Sequence, residues 1–409
     1  MTAELHRLAN GLTVAVDPMP GVETLSVGLY ADAGARSEPL GLSGLAHMVE
    51  HMVFKGAGNR DARAIAEDIE DVGGSLNAWT SRETTAFQAR LLPGDLQLGV
   101  EVIADFVRAP RFDVDELERE KSVVLSELGE ARDTPDDIVF DHLNAACFPG
   151  QPLGQPVLGS EDSIAAIAVA DLRDWLAIQY RPDGLILAAA GRVDADLLLG
   201  LAEARFGDLP AGRAPRPVAA RFNGGSFQDK RRFDQVHLAF VHEGLPANDP
   251  DMPALNLFSQ AAGGGMSSRL FQEVREELGL AYSIYSWAAG YADTGVLGVY
   301  CATDAKDAAR ALALSRSILA ATADSFTDAE LARSKAQARA GLLMSLESVQ
   351  TRADVLARGI DLRGRIVAAA ELVAEIDAVS VADVRRVAAR VLAGPTTLAT
   401  VGGKLALAA

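Results

Sequence analysis

Cysteine is nearly absent from this 409-residue chain, with only Cys147 and Cys301 present. They stand far apart and have no partner at metal-ligand spacing, which argues against a disulfide framework and against a thiolate zinc site; two small buried apolar residues are expected. Basic residues are in the minority too. Lys and Arg number 38 against 56 Asp and Glu, a formal net charge of −18, and no stretch longer than the three cations at 230 to 232 offers the grouped charge that a nucleic-acid backbone demands. Such acidity favours cationic partners, basic peptides among them, and it also serves plain solubility. Long apolar runs are missing: "LILAAAG" at 185 to 191 falls far short of a membrane span. The start, "MTAELHRLANGLTVAVDP", has no basic region followed by an apolar one, and it lacks the Arg- and Ser-rich, acid-poor make-up of an organelle presequence. The expectation is a bacterial cytoplasmic protein with no membrane insertion and no nucleic-acid partner.

What is present is ordinary core-forming material, 49% hydrophobic and 23% charged, in a length that suggests two or more domains. The segment "DLPAGRAPRPVAARF" at 208 to 222 carries three prolines among small and basic residues and reads as a linker. We therefore expect domains at 1–212 and 222–409 joined by 213–221. The halves resemble each other. "FDVDELEREKSVVLSEL" from Phe112 matches "FTDAELARSKAQARAGL" from Phe326 without gaps at an offset of 214. A hydrophobic strand precedes each ("TLSVGLYADAG", "QVHLAFVHEGL"), and each half closes on an apolar strand ("LILAAAG", "TLATVGG"). The predicted fold class is α+β: two homologous domains, each a mixed β-sheet packed with α-helices, related by internal duplication.

The chain has six histidines, yet two of them lie four apart in "HMVEH" at 47 to 51. Ser43 as a cap and Gly56 as a stop predict a short helix over about 44 to 55, on which His47 and His51 share a face. Imidazoles stacked in this way can hold one metal ion, and Glu50 beside them need not be a ligand, since it can instead serve as a base for water. Two histidines also reach this spacing by chance, so a third ligand is required. A second helix, "DELEREKSVVLSELGEAR" from Asp115, has an apolar stripe through Leu117, Val124 and Leu128. Glu120 and Glu127 fall on that stripe, two turns apart. A carboxylate in such a position needs a cation or strong hydrogen bonds, which a metal held by the histidines would supply; snorkelling surface glutamates answering Arg119 and Lys121 are the alternative. The second half has Ser334 and Gly341 where the first has Glu120 and Glu127, and no counterpart of "HMVEH".

With its glutamate after the spacer, the HxxEH order resembles the inverted zinc motif of the pitrilysin and insulinase superfamily. A downstream helix supplies the third zinc ligand there, with another acidic residue seven positions earlier. This sequence is similar in "EREKSVVLSE", where Glu127 lies 76 residues after His51. The likeness extends to "NAWTSRETTAF" from Asn77, "VFDHLNAACFPGQPLGQPVLG" from Val139 and "GGGMSSRLFQEVREELGLAYSI" from Gly263. Within the superfamily it looks like the small bacterial peptidases akin to the catalytic subunit of mitochondrial processing peptidase.

The resemblance implies one Zn2+ per chain held by His47, His51 and Glu127, with Glu50 as general base and Glu120 as supporting carboxylate. It also implies that Arg275 and Tyr282 hold substrate backbone and stabilise the oxyanion, reaching the reaction centre only when two halves, or two subunits, close on a peptide. The strand around Asn77 and Ala78 would pair with an extended peptide. Phe54 would line the pocket after the cut, and Asp137 and Asp141 would take a basic residue before it; for those two aspartates solvated helix charges remain the other reading. The family encloses peptides in a chamber of four domains, which for a two-domain chain implies a homodimer or a heterodimer with an inactive sister subunit. Other functions compatible with the residues are a non-catalytic core or assembly subunit of a larger complex and a zinc hydrolase of non-peptide amides.

Overall fold

Strands that are apolar along their whole length must be covered on both faces, and this requirement shapes the molecule. The structure, a computed structural model, describes residues 3–403. The first half runs β1 (Glu4–Arg7), β2 (Thr13–Pro18), β3 (Leu25–Ala31), α1 (Leu45–Val53), a small hairpin of β4 (Gly56–Ala57) and β5 (Arg60–Asp61), α2 (Ala62–Glu70), β6 (Ser75–Thr80), β7 (Thr85–Leu91), α3 (Leu96–Arg108), α4 (Val114–Asp133), α5 (Pro135–Cys147), α6 (Glu161–Ala166), α7 (Val169–Gln179), β8 (Leu185–Gly191) and α8 (Ala195–Phe206). The second half runs β9 (Gly225–Asp229), β10 (Val236–Glu243), α9 (Met252–Gly263), a π-helical segment at Phe271–Glu277, β11 (Ala281–Gly290), β12 (Gly295–Thr303), α10 (Ala308–Ser325), α11 (Asp328–Ser345), α12 (Val349–Arg363), α13 (Ala369–Ala378), α14 (Val381–Leu392) and β13 (Thr396–Val401). Among the described residues no helix is long and apolar enough to cross a membrane.

Two mixed sheets result. The first has the order β1-β2-β8-β3-β7-β6 and the second β9-β13-β10-β12-β11, so the second repeats β2-β8-β3-β7-β6 and lacks only the outer strand. The parallel pairs occupy matching places too, β2 with β8 and β9 with β13, while the remaining neighbours are antiparallel. Matching topology accords with the duplication that the ungapped Phe112 and Phe326 segments suggested.

All seven residues of β3 are buried, and its two faces enter different cores. Val27 and Leu29 pack with Val49, Val100 and Phe106 on one side, while Tyr30 joins Ala15, Ala86 and Ala188 against Leu356, Ala357 and Ile360 of α12 on the other. The second sheet is built alike. Leu238 and Phe240 pack with residues of α9, α10 and α14, and Ala239 and Val241 pack with Ile138, Val139 and Leu143 of α5. Each sheet thus takes the cover of one face from the other half of the sequence. The compact units are 1–128 with 155–218 and 344–367, and 129–154 with 219–343 and 368–409. This differs from the contiguous 1–212 and 222–409 expected from the linker. The sheets follow those bounds, but α5 and α12, which follow the duplicated helices α4 and α11, are exchanged. Both cysteines are buried in the second unit, as small apolar residues, and burial pushes the Cys301 thiol up to about 12.

A buried polar network fixes α12 on the first sheet. Tyr30 Oη donates to Asp354 Oδ1 at 2.7 Å, Gln88 Nε2 donates to Tyr30 Oη at 2.8 Å, and Gln350 Nε2 donates to Gln88 Oε1 at 2.9 Å. At the rim, Arg352 Nε meets Asp17 Oδ2 at 2.6 Å. Removing a charged acceptor from such a network strands its donors, so Asp354→Ala is expected to destabilise the first unit by about 2 kcal/mol. Urea unfolding of the variant beside wild type measures this, and an unchanged midpoint would show that the network adds nothing.

Candidate metal centre

Helix α1 is amphipathic and short, with Leu45, Ala46, Met48, Val49, Met52 and Val53 buried, and with the histidine pair on the remaining face. Its start differs from expectation. Ser43 does not cap it; Ser43 Oγ donates to the Pro156 carbonyl instead. The cap position is Gly44 at φ 91°, where a Cβ would lie 2.8 Å from the Leu158 carbonyl oxygen, so both conformation and space call for glycine. The free amides are satisfied from a distance. Glu38, buried in the preceding loop, accepts from Gly44 N at 3.0 Å and Ala46 N at 2.8 Å. Burial pushes the Glu38 carboxyl up to about 8 against the pull of the Ala46, Gly44 and Leu45 amides.

The apolar stripe of α4 is buried at Leu117, Val124 and Leu128, and Glu120 on it is only 3% exposed. Its carboxylate meets two groups of the α1 segment: His51 Nδ1 at 3.0 Å and Lys55 Nζ at 2.8 Å. A carboxylate only accepts, so Nδ1 is the donor in this contact, and Nε2 is the His51 nitrogen that faces Glu127. Two turns further on, Glu127 is half-exposed, unlike Glu120, and its Oε2 lies 3.6 Å from His51 Nε2 and 3.9 Å from His47 Nε2. The imidazole centroids are 4.5 Å apart.

One ligand atom from each of His47, His51 and Glu127 falls within 4.8 Å of the others, the one such cluster of His, Cys, Asp and Glu among the described residues. A tetrahedral zinc ion with bonds of ~2.1 Å needs donors roughly 3.4 Å apart, so two nitrogens and one oxygen at these separations fit it in chemistry and in size. Burial, with His51 second, pushes the His47 imidazole down to about 4, so it is a neutral donor at ordinary pH. Glu50 stands outside the ligand triad. Thr80 Oγ1, from β6, donates to Glu50 Oε2 at 2.5 Å. Burial raises the Glu50 carboxyl above its ordinary value and the Glu127 carboxylate adds to this, while the Thr80 bond and His51 oppose it.

The structure thus brings together five of the residues singled out by sequence: His47, Glu50, His51, Glu120 and Glu127. Phe54 follows the last turn of α1 and packs on Phe106, with ring centroids 4.8 Å apart. Asn77 and Ala78 lie on β6, the edge strand of the first sheet, with Asn77 exposed and Ala78 against the core. The other four belong to the second unit. Asp137 and Asp141 are one turn apart on α5, and burial, then Asp141 and Asp136, raise the Asp137 carboxyl. The Arg275 guanidinium carbon lies 4.6 Å from the Phe271 ring and 4.9 Å from the Tyr282 ring, and its Nε is 3.6 Å from Glu276. Tyr282 sits where the β11–β12 register shifts between Ala281 and Ser283, and it is 75% exposed. Sequence reasoning missed Glu38, Lys55 and Thr80. Only Lys55 had a local signal, since it follows His51 at the same four-residue spacing.

Comparison with known proteins agrees with this geometry. The insulinase model of peptidase family M16 matches residues 13–161, and the M16 inactive-domain model matches 166–338. An uncharacterized zinc protease of Mycobacterium tuberculosis is 37% identical over 98% of this chain and 94% of its own length. The chain belongs to the M16, or insulinase, family of peptidases. The β subunit of the mitochondrial-processing peptidase of Lentinula edodes is 34% identical over 95% of this chain and 87% of that subunit. Among solved structures, a protease from Helicobacter pylori shares the fold at a TM-score of 0.90 and 22% identity, with 98% and 99% of the two chains covered. The insulinase match contains all five clustered residues, and M16 relatives named zinc proteases accord with a zinc-binding His-His-Glu set.

The depressed His47 value has a consequence for the metal-free protein. An unfolded chain takes up this proton near pH 6.5 and the folded one only near 4, so stability is whole above 6.5 and falls by about 3 kcal/mol as pH drops to 4. Urea unfolding of chelator-treated protein across that range should show a steeper loss for wild type than for His47→Gln. Equal slopes would contradict the assignment.

Proposed function

We propose that this M16 protein is a zinc-dependent endopeptidase that cuts extended, preferentially basic peptides. The observation that carries the reading is the convergence of His47 Nε2 and His51 Nε2 on Glu127 Oε2 beside a separately held Glu50. His47, His51 and Glu127 would hold one zinc ion per chain. When bound, zinc supplies Lewis acidity toward a peptide carbonyl.

The remaining work falls to the chain's own side chains. Glu50, its affinity for a proton raised by burial, takes a proton from the attacking water and delivers it to the leaving amine. Thr80 holds one Glu50 oxygen, which leaves the other to face the reacting water. Glu120 orients His51 through Nδ1. The edge of β6 at Asn77 and Ala78 pairs with substrate backbone, a mode that selects extended conformation over side-chain identity. In this reading Phe54 borders the residue after the cut, Asp137 and Asp141 receive a basic residue before it, and Arg275 and Tyr282 bind backbone and the developing oxyanion. The reading includes a closed chamber completed by a second copy or by an inactive sister subunit, and a cytoplasmic location. The kinship with a subunit named as a processing peptidase supports the peptidase reading, and the chain's net charge of −18 supports the preference for basic peptides.

The experiment is Glu50→Gln assayed with a fluorogenic basic peptide beside zinc analysis of both proteins. The variant should keep its zinc and lose activity by about 10³-fold. Wild type that carries zinc yet cuts no peptide would favour a core or assembly subunit, and an active Glu50→Gln variant would remove Glu50 from the base role.

A further inference from the structure

The first unit contains a cavity of about 560 Å³ that none of the metal-centre residues lines. Its walls include the apolar side chains of Val107, Phe112, Leu176 and Leu209, and three arginines border it, Arg108, Arg173 and Arg181. These arginines are not equivalent. Arg108 is engaged, with both terminal nitrogens on the Asp208 carboxylate. Arg173 and Arg181 have no ion pair and no side-chain hydrogen bond among the described residues, in a chain that carries 56 carboxylates against 38 Lys and Arg.

The internal duplication shows what an arginine at the first of these positions does when its role is structural. "VADLR" at 169 to 173 recurs as "VADVR" at 381 to 385, which pairs Arg173 with Arg385, just as Phe112 pairs with Phe326. In the second copy Arg385 donates to the Phe326 carbonyl from Nε at 3.1 Å and from Nη2 at 2.6 Å. Phe326 has an ordinary φ of −55°. Phe112 has φ 49°, the one non-glycine residue with positive φ among those described, a conformation that L residues avoid. Its buried side chain lines the cavity. In the first copy, then, the backbone has turned at Phe112 and Arg173 makes no such bond. Continuing the ungapped match, the second copy has Ala393 where the first has Arg181, so the second cation has no counterpart there.

We propose that this cavity is a binding site for an oxyanion carried on an apolar body, with Arg173 and Arg181 gripping the oxyanion and the Phe112, Leu176 and Leu209 walls receiving the apolar part. Guanidinium groups hold carboxylate and phosphate oxygens by paired N–H bonds, and a volume of this size suits a small molecule. The site is independent of the peptidase reading, since it shares no residue with it.

The test is isothermal titration of the full-length protein with decanoate and with monodecyl phosphate, both kept below micelle formation, and with decyltrimethylammonium as the cationic counterpart. At least one anion should bind at a ratio of one per chain, and the tighter of the two identifies carboxylate or phosphate as the natural head group. The double substitution Arg173→Ala with Arg181→Ala should weaken that binding about tenfold or more while the thermal melt stays at its wild-type position. Arg181→Gln, a single change at a position the second copy fills with alanine, serves if the double variant melts early, and it too should weaken binding severalfold. Failure of both anions to bind, equal binding by the cation, or undiminished binding in the variants would overturn the proposal.

Discussion

A carboxylate buried to 3% exposure has to be satisfied, and the way Glu120 is satisfied sets the position of everything reactive in the first unit. Both of its partners, His51 and Lys55, come from one short stretch, four residues apart. The contact therefore fixes the rotation of α1 about its axis as well as its distance from α4. Once that rotation is fixed, His47 faces the same way as His51 one turn earlier, and Glu127 arrives two turns further along α4. The Nε2 atoms then converge on one carboxylate oxygen. Glu38 holds the other end of α1 by its free amides, so the helix is anchored at both termini by acidic side chains from elsewhere in the sequence.

The duplicated unit shows what remains when that constraint is dropped. Its sheet has the same strand order and the same parallel pair, and α11 is the counterpart of α4. Where Glu120 would be, Ser334 is buried with a neutral side chain, and at the place of Glu127 stands Gly341, with open space where a Cβ would project. Two glutamates separate a metal-capable helix from a structural one. The scaffold thus persists without the His-His-Glu cluster, which among the described residues only the first copy carries.

Much of the centre was legible because its parts obey short-range geometry. A four-residue histidine spacing and a seven-residue glutamate spacing each place side chains on one helix face, and the acidic positions interrupting an apolar stripe pointed to a buried charge. The strands were legible for the same reason, as apolar runs of strand length. What could not be read depends on which surfaces meet. The pattern of α5 and of α12 shows that each buries a face, but nothing in it says that the face lies on the sheet of the other half. Thr80 reaches Glu50 across 30 residues of sequence, and Glu38 reaches α1 from the end of a single 3-10 turn, Ala35–Ser37, too short to show a pattern. Ser43 is a good cap by residue type, yet the tight crossing of Gly44 with Leu158 and Gly159 turns its hydroxyl to Pro156. Local propensity gave way there to packing.

All of this rests on α1 and α4 meeting so that three side chains come close enough to hold one ion. The most direct measurement is zinc X-ray absorption on purified wild-type protein together with metal content of wild type and Glu127→Ala. One zinc per wild-type chain is expected, with nitrogen and oxygen neighbours only at about 2.0–2.2 Å, and loss of stoichiometric zinc in the variant. Sulfur in the first shell, or a variant that retains a full complement of zinc, would contradict the assignment of Glu127 and with it the arrangement of the two helices.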